Sequence, residues 1–430
     1  MDGTGINGTI AYMQTQPVGQ ILQELRRTEG VLESDGLGDG EQEVRGAQPM
    51  PASGKGQSLA DALGSSCGEF VERYAATREM MRARRRGAIR LASARALRRE
   101  GYRVVGADVF QFFAPAQYSA PGFPFVPFSD DVPVGWVEVQ EVGSGPAWIP
   151  AVLVFMGYRE AEGEARIAYP TTGGLCFVPS GADGIQTAVL EVIERDAINL
   201  CWTSGVRAVR LENSARSSRY RVIRRGSSVL AFIPWTDVPY VRIVHAQYYD
   251  PEGPLFLAGG GVARSTWQAT GKALLEIKQC AHATQYLRGL DVPIARGGVR
   301  DFFDVIPFYS DRRRMAVLRE RMEEVLIGDV VELQGPGRAE GASRRSTFSD
   351  KEWSDVLGSI GPVYALEMDV GDLGVPGSVI RCVVPGITMA GVPNLPFLGH
   401  DRYYAARQLA DGMDRPSEFR DLHLELVPFP

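Results

Sequence analysis

Cysteine and histidine are scarce in this 430-residue chain, with 5 and 4 copies, and their placement removes several kinds of site. Cys67, Cys176, Cys201, Cys280 and Cys382 are far apart, odd in number and never in a Cys-x-x-Cys pair, which excludes a zinc ribbon and a disulfide framework. Free thiols in a reducing cytoplasm are expected. His245, His282, His400 and His423 show no His-Glu-x-x-His or Cys-His spacing, so none is assigned to a metal or a triad. No run approaches the ~18 apolar residues of a membrane span, and the N-terminus lacks a basic start followed by an apolar stretch. Positive charge is not in excess either: 46 Lys and Arg against 52 Asp and Glu leave a net charge of -6. Such a field does not favour nucleic acid. A cytoplasmic protein without membrane or nucleic-acid partners is the expectation.

What is present is a globular composition, 44% hydrophobic and 23% charged, at a length that allows one large domain or two. A short strand is predicted from Thr9 to Met13 and a helix from Val18 to Arg27, where Ile21, Leu22 and Leu25 share a face. From Gly30 to Gly56 the chain is rich in Gly, Asp, Glu, Ser and Pro, which predicts a loop or flexible connection. Its end, Ser53-Gly54-Lys55-Gly56, is suited to cradle a phosphate, because glycine lets backbone N–H groups approach an anion and Lys55 adds charge. A long helix follows, through Glu72 into an Arg-rich stretch interrupted at Gly87. Strands are predicted over Tyr102–Val109, Trp136–Val142, Ala151–Met156, Tyr240–Gln247, Val363–Val370 and Val379–Val384. Helices are predicted over Ile185–Trp202, Thr266–Leu287 and Arg312–Leu326, and a surface loop over Gly335–Ser346. The pattern is a mixed α/β (α+β) plan without the regular β-α-β alternation of a doubly wound sheet.

An internal echo carries the chemistry. Glu69-Phe70-Val71-Glu72-Arg73 and Glu191-Val192-Ile193-Glu194-Arg195 share one pattern, and on a helix each puts two carboxylates and a guanidinium within reach of a common ligand. A third helix offers Glu276 and Gln279 at the same i, i+3 spacing. Leu190, Val192, Ile193, Ala197 and Ile198 surround the second copy on several sides, so its helix is expected to be buried. Buried carboxylates need partners. Mg²⁺ prefers carboxylate oxygens and is commonly shared with phosphates, which arginine binds bidentately. A metal–nucleotide site and a structural ion-pair network both satisfy these charges. The arginines from Arg78 to Arg99, and Arg312 to Arg314, read as a solvated helix face, with docking of an acidic peptide or partner as the alternative.

From about Ser53 onward the chain resembles the YcaO family. The resemblance rests on Gly54-Lys55-Gly56 with Ser66-x-x-Glu69-x-x-Glu72-Arg73, and on Thr171-Thr172-Gly173-Gly174-Leu175 with Glu191-x-x-Glu194-Arg195-Asp196-Ala197 ending near Trp202. Lys272-Ala273-Leu274-x-Glu276-x-x-Gln279 and Val379-Ile380-Arg381-Cys382-Val383-Val384-Pro385-Gly386 complete it. The resemblance implies a YcaO-type fold, with an N-terminal segment and linker over 1–52, a catalytic domain over 53–390 and a C-terminal segment over 391–430. It implies ATP and Mg²⁺ as cofactors and activation of a peptide amide. A nucleophile adds to the amide carbon, the oxygen is phosphorylated, and phosphate leaves. Cys, Ser or Thr of a ribosomal precursor peptide then gives a thiazoline or oxazoline, as in bacteriocin biosynthesis; sulfide would give a thioamide, an amine an amidine. A catalytically silent scaffold is the remaining alternative.

By the same resemblance Glu69, Glu72, Glu191 and Glu194 hold metal, and Lys55, Ser66, Glu72, Arg73, Arg195, Glu276 and Gln279 hold the nucleotide. Arg195, Glu194 and the terminal Pro430 are assigned to catalysis. Azoline-forming members often end in Pro-x-Pro-x-Pro, and Leu426-Val427-Pro428-Phe429-Pro430 keeps the last two prolines. Gly173 stands where the family usually has Asn. The resemblance leaves no additional peptide-binding domain expected before Gly54, so a separate leader-peptide-binding partner is expected, with a dehydrogenase partner and an oligomeric state.

Overall fold

Strands covered by helices build two large sheets around one acidic helix. The computed structural model describes residues 9–14, 51–56, 59–212, 228–250, 255–287, 296–299, 302–327, 331–332 and 348–428. Its strands are β1 (Thr9–Gln14), β2 (Pro51–Gly56), β3 (Arg90–Ala92), β4 (Val134–Glu141), β5 (Pro146–Pro150), β6 (Leu175–Pro179), β7 (Ala208–Glu212), β8 (Ser228–Pro234), β9 (Arg242–Asp250), β10 (Leu255–Ala263), β11 (Val331–Glu332), β12 (Tyr364–Asp369) and β13 (Gly377–Val383). One sheet runs β3-β4-β12-β13-β6 with β5 added on β4, a second runs β10-β9-β8-β7-β11, and β1 pairs with β2. The pairings are antiparallel apart from β7 with β11. The helices are α1 (Leu59–Arg85), α2 (Ala94–Arg99), α3 (Pro115–Tyr118), α4 (Gly184–Asn199), α5 (Thr266–Leu287), α6 (Phe302–Tyr309), α7 (Arg312–Val325), α8 (Asp350–Ile360) and α9 (Arg402–Asp411).

Helix α4 starts at Asp183, whose side chain accepts from the Gln186 N–H at 3.0 Å as an N-cap. It packs on β6 and β13 of one sheet and on β9 and β10 of the other. Ala188, Val189, Val192, Ile193 and Ala197 are buried there with Val178, Ile243 and Val262. Glu194 and Asp196 on α4 are therefore buried, as its apolar surroundings in sequence predict, while Glu191 and Arg195 stay partly accessible. The helix ends in a π-helical turn, Leu200–Ser204, closed by Gly205 at φ 70°.

Helix α5 lies on the edge strand β10 and caps it. Lys272 Nζ donates to the Val262 carbonyl at 2.7 Å, and Glu276 accepts from the Gly260 N–H at 2.7 Å. A Cβ on Gly261 would lie 2.0 Å from the Ala269 carbonyl oxygen, so only glycine admits the helix backbone this close. Helix α1 packs on β6, and the β1–β2 pair packs against both α1 and α5.

The structure corrects three local expectations. Ser53-Gly54-Lys55-Gly56 is part of strand β2, paired residue by residue with β1 from Thr9↔Gly56 to Gln14↔Pro51; pairing and packing override its weak β-propensity. Tyr102–Val109 forms no strand. Only Val104 bridges to Trp148. Ala151–Leu153 is a 3₁₀ turn rather than a strand, a choice that apolar runs without period leave open. The predicted helix Val18–Arg27 and surface loop Gly335–Ser346 lie outside the described residues, as does most of the predicted connection from Gly30.

Candidate active site

Three carboxylates from three helices each grip one backbone amide. Glu72 of α1 accepts from the Phe177 N–H at 2.6 Å, Glu191 of α4 from the Gly174 N–H at 3.3 Å, and Glu276 of α5 from Gly260 as above. The three share one neighbourhood: the negative charges of Glu191 and Glu69 act on Glu72, and that of Glu276 acts on Glu191. Arg73 bonds Glu69 at 2.5 Å, and Arg195 lies 3.6 Å from Glu191. These four side chains remain 22–31% accessible, so a ligand can reach them.

The charges are costly as they stand. Burial raises the Glu72 carboxyl to about 8, with Glu191 and Glu69 adding to the rise against the Phe177 amide and Arg73. Burial also raises Glu191, opposed by Arg195, the Gly174 amide and Arg381. A raised carboxyl keeps its proton in the folded chain from the ordinary value of 4.5 up to about 8. Its contribution to stability therefore falls as pH rises through that window. Among the described residues no three acidic, His or Cys side chains form a ready-made metal cage. A spread acidic set beside arginines fits a cation shared with phosphate oxygens, which Mg²⁺ prefers to an all-protein cage.

Gly174 holds this arrangement in place. It sits at φ +79°, and a Cβ there would lie 2.4 Å from the Cys382 carbonyl oxygen. Gly174→Ala is expected to destabilise the chain by about 2 kcal/mol or more and to displace the amide that holds Glu191. Thermal melting, with ATP binding measured in parallel, checks this.

The structure brings Glu69, Glu72, Arg73, Glu191, Arg195 and Glu276 together. Ser66 is fully buried on α1, one turn before Glu69, and Glu194 is buried on α4 at 7% exposure. Gln279 follows Glu276 by one turn on α5, half-buried. Lys55 lies on β2 with its side chain outside the described part, and Pro430 lies outside the described residues. Gly173 lines a cavity of about 30 Å³ with Thr171, Arg195, Arg381 and Ala390. A Cβ on Gly173 would meet only Ala390, at 3.5 Å, so packing does not require glycine there.

Sequence reasoning assigned no role to three residues here. Arg381 is buried on β13, donates to the Leu153 carbonyl at 2.9 Å and the Thr171 carbonyl at 2.8 Å, and is lowered to about 10 by burial while Glu191 opposes the shift. His245 on β9 is lowered to about 3 by burial and stays neutral beside Glu276 and Arg195. Asp196 is 1% exposed and accepts from Arg402 Nε at 2.9 Å and from the Thr388 N–H at 2.8 Å. The signal for each was a charged or polar residue inside an otherwise apolar strand or helix.

Solved structures define the class by its fold. The chain is similar to a heterocyclase in complex with substrate and cofactor, at 16% identity and TM-score 0.65, over 92% of this chain and 52% of that one. It is similar to YcaO from Methanopyrus kandleri bound with AMPPCP and Mg²⁺, at 19% identity and TM-score 0.51, over 79% of each chain. A third likeness is to the E. coli microcin synthetase McbBCD complex with pro-MccB17 bound, at 17% identity and TM-score 0.59, over 89% of this chain and 90% of that one. At these identities the likeness concerns the fold, and the chain spans about half the length of the first heterocyclase. The family follows from sequence: the model described as "YcaO cyclodehydratase, ATP- and Mg²⁺-binding" matches residues 53–387, and the chain belongs to the YcaO family. No curated protein matches it. Among the described residues no helix is long and apolar enough to cross a membrane.

Proposed function

We propose that the chain uses Mg-ATP to activate backbone amides of a ribosomal precursor peptide for cyclodehydration, turning Cys, Ser or Thr into thiazoline or oxazoline. The observation that carries this is the meeting of Glu72, Glu191 and Glu276, from α1, α4 and α5, each set by one backbone amide, with Arg73 acting on Glu72 and Arg195 beside Glu191. Glu69, Glu72, Glu191 and Glu194 would hold Mg²⁺. Lys55, Ser66, Arg73, Arg195, Glu276 and Gln279 would hold the nucleotide. Bound ATP supplies the phosphoryl group that makes the amide oxygen a leaving group, with Mg²⁺ screening its charge. The part left to the protein is placement: arginines aimed at phosphate oxygens from fixed helices stabilise charge without reorganising. Family membership and the fold shared with heterocyclases support this reading. A partner that binds the leader peptide and a dehydrogenase that oxidises azolines belong to the same proposal, as does an oligomeric assembly in the cytoplasm.

Two measurements test it. Incubated with Mg-ATP and partner protein, a substrate precursor is expected to lose one water per modified residue. Exchange of oxygen for sulfur would redirect the reaction to a thioamide, and an unchanged mass with no ATP bound would leave only a scaffold. Removing Pro428 to Pro430 is expected to abolish cyclisation; full activity would remove Pro430 from the catalytic set. The second measurement concerns Glu72. Near pH 7 it carries a proton, since its carboxyl is raised to about 8, and a bound cation must displace that proton. Calorimetry in buffers of different ionisation enthalpy should show protons released on Mg-ATP binding, and fewer from Glu72→Gln.

A further inference from the structure

The last described segment of the chain is held at three successive carbonyls by side chains from three different places. Arg296 donates to the Leu424 carbonyl. Trp202, in the π-helical turn that ends α4, donates its indole N–H to the Glu425 carbonyl at 2.9 Å. Tyr309, at the end of α6, donates to the Leu426 carbonyl. One residue earlier, the His423 N–H donates to the Thr203 carbonyl at 2.7 Å, and the His423 ring meets the Trp202 ring edge-on at 4.8 Å. Leu426 is fully buried and Pro428 is buried after it. Val427 packs both on the cluster that surrounds α4 and on the cluster of α6 and α7.

Donors from three separate elements on three consecutive carbonyls fix the segment's register along the chain as well as its position. The same helix carries the acidic motif. Trp202 lies two turns beyond Arg195, and α4 is tied a second time to the C-terminal part through Asp196 and Arg402.

We propose that Trp202 and Tyr309 are positioning residues: they clamp residues 423–428 as a strap in fixed register against α4, so that the strap and the face bearing Glu191, Glu194 and Arg195 respond to nucleotide as one unit. This inference rests on the nucleotide reading above. A π-turn suits the task, because widening the helix by one residue turns the Trp202 indole and the Thr203 carbonyl toward the strap.

The test uses the full chain, Mg-ATP as the probe, and the variants Trp202→Phe and Tyr309→Phe, singly and combined. Tyr309→Phe keeps the ring and removes its donor, while Trp202→Phe removes the indole donor together with part of the ring, so Tyr309→Phe alone isolates the loss of a hydrogen bond. Hydrogen exchange at the amides of 423–427 is read with and without Mg-ATP. In the wild type, saturating Mg-ATP is expected to slow exchange in the strap. In the double variant, exchange without nucleotide should rise on the order of tenfold, as the loss of two hydrogen bonds allows. The slowing by Mg-ATP should vanish, while calorimetric affinity for Mg-ATP stays within about threefold, a change of under 1 kcal/mol. A merely structural role would weaken ATP binding in parallel and leave the slowing in proportion. Unchanged strap exchange in the double variant, or nucleotide protection that survives it, overturns the clamp. Absence of Mg-ATP binding in the wild type defeats the nucleotide reading instead, and the exchange without nucleotide still decides whether Trp202 and Tyr309 hold the strap.

Discussion

Glu191→Ala is expected to lower ATP turnover by at least ~100-fold, the scale on which one aligned electrostatic group supports a charged transition state. Two effects combine in that variant. Alanine removes a negative charge beside Arg195 and Glu276, and it also leaves the Gly174 N–H without its acceptor. Glu191→Gln separates them, because the amide oxygen still accepts from Gly174 while the charge is gone. Turnover lost equally in both variants assigns the effect to charge, as cation binding requires; turnover restored in Gln would make Glu191 an anchor for the 171–174 turn. Glu194→Ala is expected to fall in the same range, and wild-type-like turnover in either alanine variant would overturn the site.

Arg402→Ala is expected to destabilise the chain by about 3–5 kcal/mol, the cost of stranding a buried charge. Asp196 is 1% exposed and Arg402 11%, so water cannot replace the lost partner. Asp237, at 37%, is wetted and contributes less. The pH dependence carries the sign: Arg402 holds the Asp237 carboxyl below its ordinary value. That contribution is present above the ordinary value of 3.8 and is lost as pH falls through the lowered one. The double variant Asp196→Asn, Arg402→Met removes both buried charges and should recover part of the loss. Urea unfolding of the single and double variants gives the coupling.

The acidic echo was legible because the helix period alone places Glu69 with Glu72 and Glu191 with Glu194. The apolar residues around the second copy foretold that α4 would be buried. The third member, Glu276, joins them through a packing device that single-sequence period does not reveal: the run Gly259-Gly260-Gly261 lets α5 sit on the edge of β10 and turns its carboxylate to the Gly260 amide. Strand β2 was unreadable for a related reason. Pro51-Ala52-Ser53-Gly54-Lys55-Gly56 has turn composition, and it becomes a strand by pairing with β1, which ends at Gln14, far back along the chain. The strap over 423–428 is not legible in the sequence, since its donors Trp202, Arg296 and Tyr309 are distant along the chain. The Asp196–Arg402–Asp237 network is likewise contact between remote segments, which periodicity does not report.

The central claim is that carboxylates from α1, α4 and α5 bind a divalent cation together with a triphosphate. Mn²⁺ in place of Mg²⁺ tests it most directly, followed by electron paramagnetic resonance with a non-hydrolysable ATP analogue. Mn²⁺ should bind tightly only when the analogue is present, and Glu72→Gln, Glu191→Gln and Glu276→Gln should each weaken it. Analogue binding that is indifferent to chelation of the metal, or Mn²⁺ binding untouched by all three variants, would contradict it.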